Sequence, residues 1–180
     1  MKIKEYKLIS KENNGSFPQL ECIVEYEFIY NEAFLYNYHN NYEFEYLFFG
    51  DVLELQNSYV ECCYVISYDG ANNPIGIYLA SSGGRSENTI YFDNILTYLL
   101  LSGSKSFITI HNHPNNILEK SFEDISIDNS LMELSNMLNI EYKEGLIITK
   151  DYINILHQKI CIFENNCFIN DESIFYEDLL

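Results

Sequence analysis

SFITIHNHPNNILEKSFED, residues 106–124, holds the two histidines on which the reading of this chain turns. SFITIH has the short, nearly continuous apolar run of a buried strand. His111 and His113 are one residue apart, so at the end of a strand both imidazoles project to the same side, where they can meet one metal ion. Pro114 ends the strand because it has no N–H to donate to a ladder, and the loop after it can turn back over the site. Ser121 then falls at the N-cap of the next helix, with Asp124 in its first turn. Two imidazoles and a carboxylate suit Zn²⁺, and three protein ligands leave the fourth tetrahedral position open for water. The same residues also have a bland reading. Ser121 with Asp124 is close to a capping box, a device that starts many helices without any chemistry.

Working outward, Ser121 opens a helix that places Ile127, Leu131, Leu134 and Leu138 along one face. GLIITKDYINIL, residues 145–156, predicts one or two further strands. Upstream, YVECCYVISYDGANNPIGIYLA, residues 59–80, reads as two strands around a turn rich in Gly, Asn and Pro. SSGGRSENT follows as a loop. IYFDNILTYLLLSG predicts an apolar-faced helix that stops at Gly103, a natural C′ residue. Residues 2–9 and 20–30 carry the β-branched and aromatic residues of strands. NEAFLYNYHN opens a helix with Asn31 as its N-cap. Strands and helices alternate without repeats, which predicts an α/β or α+β sandwich.

The chain has 180 residues, 47% of them hydrophobic, the size of one ordinary domain with room for an added segment. Its formal net charge is -17, from 27 acidic against 10 basic side chains, so its mean field repels phosphate backbones and anionic lipid. Non-specific nucleic-acid binding is not expected, and the scattered lysines form no basic patch. The five cysteines are odd in number and form no CxxC pair, which argues against a disulfide framework or a cysteine-based zinc site. No apolar run has the length to span a bilayer and no signal-peptide pattern opens the chain, so a cytoplasmic location is expected.

The spacing HxHPx(6)SxxD resembles the signature of the JAMM (JAB/MPN) metalloproteases, and the RadC-like branch in particular. ECCYVISYDGANNPIG is similar to that family's strand, turn and strand, SSGG to a glycine pair in its next loop, and NMLNIEYKEGLIIT to its segment ending in LIIT. The likeness spans roughly residues 55–157. It implies a cytidine-deaminase-like α/β (α+β) sandwich, with a central mixed β-sheet flanked by helices. It makes 56–160 a RadC-like JAB/MPN domain, and the pattern along the chain adds an amino-terminal extension of strands and a helix over 1–55 and an acidic tail over 161–180.

From the residues alone, Glu61 in an apolar stretch is either compensated or on a solvent-facing edge. The resemblance makes it the general acid/base. It likewise implies Zn²⁺ on His111, His113 and Asp124, Ser121 as donor to a developing oxyanion, and a protein or peptide as substrate. Two departures stand out: Glu144 and Gly145 replace an Asp-His pair, and the arginine near the start of the helix after the glycine loop is missing. The competing reading is therefore an inactive JAB-fold scaffold that binds a protein partner. A DNA-repair accessory role is disfavoured by charge. Neither HxE nor PCxxC is present, so deaminase chemistry is not expected.

Overall fold

The computed structural model describes residues 2–10, 17–27, 42–83 and 90–153. The Asn31-capped helix, most of the loop after Ser82 and the tail from Cys161 lie outside the described residues. The strands are β1 (Lys2–Ile9), β2 (Gln19–Glu27), β3 (Cys62–Tyr68), β4 (Pro74–Ser82), β5 (Ser106–Asn112) and β6 (Glu141–Ile148). The helices are α1 (Glu43–Leu47), which continues through a wider turn at Phe48–Val52 and a tight one at Leu55–Asn57, then α2 (Phe92–Ser102) and α3 (Phe122–Met137).

The strands form one mixed sheet in the order β2-β1-β4-β3-β5-β6. β1 with β4 and β5 with β6 are parallel, and the other neighbours are antiparallel. The amino-terminal segment thus adds its two strands to the same sheet.

Local chemistry explains the connections. Between β3 and β4, Asp69 Oδ1 accepts from the backbone N–H groups of Ala71 and Asn73 at 2.8 and 2.9 Å, closing the turn that the DGANNP cluster predicts. At the end of α2, Gly103 takes φ +72°. The Ser104 N–H then reaches the Leu99 carbonyl at 3.1 Å, a closure that uses carbonyls the helix leaves unpaired. At Gly76 any Cβ would fall 2.7 Å from the Tyr6 ring and 2.9 Å from the Tyr98 hydroxyl, so only glycine lets these aromatics lie against the sheet.

β5 is central, and every one of its residues is buried. Period two divides its side chains between two cores. Ile108 and Ile110 join Ile66, Phe48 and Phe49 on the face covered by α1 and its continuation. Phe107 joins Tyr98, Leu99 and Leu131 on the face covered by α2 and α3. His111 follows Phe107 and Thr109 onto that second face, while Asn112 follows Ile110 onto the first.

Three expectations need correction. Glu61 does not lie inside a strand, because β3 begins at Cys62. The last strand begins at Glu141, four residues ahead of GLII, because it follows β5 in register from Ser106 onward. Residues 150–153 are helical rather than extended. On α3, Leu131 is fully buried, whereas Ile127 and Leu138 are only partly covered against the same core.

Buried tyrosines make a prediction about alkaline stability. Burial raises the hydroxyls of Tyr68, Tyr98 and Tyr142 above the ordinary tyrosine range, and Tyr64 is pushed up to about 12. A group raised in the folded state contributes stability that is complete below its unfolded value, near 10, and lost as pH rises through the folded value. Unfolding is therefore expected between about pH 10 and 12, with tyrosinate absorbance and circular dichroism changing together. Full tyrosine ionisation near pH 10 without unfolding would contradict it.

Candidate metal centre

β5 carries His111 as its last residue but one, and Pro114 follows three residues after it, so His113 sits where the chain leaves the sheet. His111 Nε2 and His113 Nε2 are 3.0 Å apart. Asp124, at the start of α3, brings Oδ1 within 3.3 Å of the His111 nitrogen and Oδ2 within 3.4 Å of the His113 nitrogen. Tetrahedral zinc with bonds near 2.0–2.1 Å requires donor atoms about 3.3 Å apart. The spacing of this set fits such an ion. His111 and Asp124 are buried, at 8% and 9% exposure, so a carboxylate lies against the two rings away from bulk water.

The surroundings prepare the donors. His113 Nδ1 lies 2.6 Å from the Ile117 carbonyl, an acceptor that puts the ring proton on Nδ1 and leaves the Nε2 lone pair directed at the site. Burial pushes the Asp124 carboxyl up, but hydrogen bonds from His111 and from the Ser121 side chain and backbone outweigh it and hold Asp124 well below the usual carboxylate range. Both readings of Ser121 and Asp124 therefore meet in one geometry. The Ser121 hydroxyl accepts from the Asp124 N–H at 3.1 Å, and the Asp124 carboxylate accepts from the Ser121 N–H at 2.8 Å, a complete capping box. The same hydroxyl donates to Asp124 Oδ2 at 2.7 Å.

A cavity of about 550 Å³ opens over this set, and Glu61, Cys63, Thr109, Lys120, Ser121 and Asp128 contribute to its wall. Glu61 reaches it from the residue before β3, which pairs with β5 at Cys63 and His111. Burial, with the Glu61 charge second, pushes the Cys63 thiol up to about 12. The structure thus brings Glu61, His111, His113, Ser121 and Asp124 to one cavity. Among the described residues, His111, His113 and Asp124 are the cluster whose donor atoms converge closely enough for a metal ion.

A profile described as RadC-like JAB domain matches residues 44–160. The chain belongs to this family. A UPF0758 protein of Salinibacter ruber is 33% identical over 84 residues, 47% of this chain and 36% of the relative. UPF0758 protein NMC1174 of Neisseria meningitidis is 28% identical over 99 residues, 55% of this chain and 44% of the relative. UPF0758 protein COPRO5265_1522 of Coprothermobacter proteolyticus is 24% identical over 107 residues, 59% of this chain and 46% of the relative. The chain thus matches less than half the length of each of these relatives.

Within this RadC-like JAB domain, one departure from the family pattern has a structural explanation. A Cβ at Gly145 would run into the Asp128 carboxylate and lie 2.8 Å from the Tyr142 hydroxyl. Tyr142 donates to Asp128 and lies 2.9 Å from Thr109 Oγ1, and Lys120 Nζ approaches Asp128 at 2.7 Å. This polar chain links β5, β6 and the first turns of α3 beside the metal donors. Sequence reasoning missed it, because its members are spread from position 109 to 142 and no local pattern joins them. It also missed Asn112, which is 1% exposed and hydrogen-bonded across the sheet. Period two in a fully buried strand was the available signal, since a carboxamide turned into a core must find partners.

Proposed function

We propose that this RadC-like JAB domain is a zinc-dependent metallohydrolase of JAMM type that cleaves a peptide or isopeptide bond. The observation that carries the reading is the triangle of His111, His113 and Asp124 donor atoms on the wall of a cavity that Glu61 also lines. Zinc held there supplies a Lewis acid that brings a coordinated water to a pKa of about 7.

Everything else falls to the chain. Asp124, kept ionised by its hydrogen bonds, offers negative charge to the cation. The Ile117 carbonyl holds the His113 ring in the tautomer that exposes its lone pair. Glu61 accepts a proton from the attacking water and returns it to the departing amine nitrogen as the C–N bond breaks. Ser121 turns its hydroxyl from Asp124 toward the carbonyl oxygen that gains charge. The substrate is a protein or peptide, taken up in the cytoplasm. Among the described residues Cys22, Cys62 and Cys63 form no disulfide, which fits a reducing compartment, and no helix is long and apolar enough to cross a membrane.

The test is metal analysis of purified protein, followed by cleavage of a peptide and isopeptide library. Stoichiometric zinc is expected, with cleavage lost on chelation and restored by zinc alone. A free zinc concentration about 1,000 times Kd should add roughly 4 kcal/mol to folding stability, read as a rise in Tm. Folded protein that takes up no zinc at pH 7, or turnover indifferent to chelation, would overturn the reading. Zinc uptake without turnover on any substrate would point to the protein-binding scaffold. The observation favouring that second reading is the Ser121 hydroxyl, which donates to Asp124 in the present geometry.

A further inference from the structure

Asn112 stands between the two histidines, and the pleat of β5 sends its side chain to the opposite face from theirs. The backbone ladder between β3 and β5 has its last partners at Cys63 and His111. One step further, the Asn112 carboxamide replaces the missing rung. Its Oδ1 accepts from the Cys62 N–H at 2.8 Å. Its Nδ2 donates to the Val60 carbonyl at 3.1 Å and to the Ser58 carbonyl at 3.4 Å. Val60 and Cys62 are the two neighbours of Glu61, so the carboxamide grips the backbone on both sides of that residue. The Glu61 carbonyl is itself held by the Gly83 N–H at 2.8 Å.

We infer that Asn112 is a positioning residue: it fixes the backbone of Glu61 against the strand that carries His111, so that proton carrier and metal donors keep one spacing. The side chain must accept on one side of Glu61 and donate on the other from two separate atoms, and among short side chains the carboxamide supplies both, whereas a hydroxyl carries donor and acceptor on one oxygen. An aspartate would present a second acceptor to the Val60 carbonyl, and a serine could make one bond of the set. What Asn112 positions for rests on the reading of Glu61 as proton carrier. That Asn112 holds residues 58–62 does not.

Asn112→Ala is the primary test, with Asn112→Ser alongside it as the variant that keeps one hydrogen bond and carries the test if the alanine protein does not fold. Three quantities are read on each: zinc affinity by competition, amide hydrogen exchange of the metal-free protein residue by residue, and kcat with KM. The expected result for Asn112→Ala is unchanged zinc affinity and Cys62 amide exchange about tenfold faster, while the β3 core amides of Val65 and Ile66 keep their protection. kcat is expected to fall by about 10²-fold at unchanged KM, the effect of a small misplacement of a reacting group. Asn112→Ser should fall between alanine and parent in both. Unchanged exchange at Cys62, equal acceleration along all of β3, or faster exchange with unaltered kcat would each overturn the inference. If the parent protein turns over no substrate, the proposed function fails on its own account. The contrast between Cys62 and the β3 core then still decides whether Asn112 holds this segment.

Discussion

Glu61→Gln is expected to lower kcat by about 10²–10⁴-fold while leaving zinc content at the parent level. The amide keeps the size of the side chain and its place on the cavity wall, but it cannot take a proton from water. Glu61 is not part of the convergent donor set, so the metal should be indifferent to the change. Zinc content and kcat are to be measured on the same preparation. Loss of zinc together with activity would make Glu61 a ligand, and an unchanged kcat would remove it from the chemistry.

Asp124→Asn should weaken zinc binding by more than about 10²-fold, the upper end of what even an outer hydrogen-bond partner of a metal site costs. An amide oxygen carries no full charge to offer the cation. The helix start should survive, because that oxygen can still accept from the Ser121 N–H, as the carboxylate does at 2.8 Å. Zinc affinity by competition and thermal melts of the metal-free proteins separate the two roles. The pH dependence has a definite sign. The folded carboxyl is depressed, so the stability it contributes is complete above its unfolded value, near 4, and is lost as pH falls through the folded value. The parent and the Asp124→Asn variant should therefore differ most in stability above about pH 4 and converge in stronger acid. A variant that bound zinc as tightly as the parent would reduce Asp124 to a helix cap.

Much of this site was legible because its signals are local. His111 and His113 share a side of the strand by period two, Pro114 stops the strand, and Ser121 with Asp124 marks a helix start at close range. These are statements about neighbours in the chain, and the folded protein keeps them. The pieces that escaped are contacts between distant segments. No periodicity announces that the Asn112 carboxamide will complete a ladder with residues 58–62, or that Asp128 will take the space that a side chain at 145 would need. The misreading of Glu61 has the same origin. YVECCYVI looks like one continuous strand, yet its backbone ladder with β5 stops at Cys63 and a side chain takes over. The late strand was placed too far along because register with β5 draws in Glu141 to Glu144, whose charges argue locally for a loop.

The order of strands across the sheet also bears on how the chain folds. β3 and β4 are joined by the five residues 69–73, whereas β1 meets β4 in parallel through Glu5 with Ile77 and Tyr6 with Tyr78, about seventy positions along the chain. Closing the longer loop costs roughly 2 kcal/mol more chain entropy than closing the shorter. The segment from β3 to β6 contains nearly all of the donor and proton-carrying residues, with Glu61 directly before it, and it can assemble without waiting for that closure. The amino-terminal strands are then expected to dock on a sheet edge already in place, which would put the candidate centre in the early-forming part of the molecule and β1 and β2 in the late one.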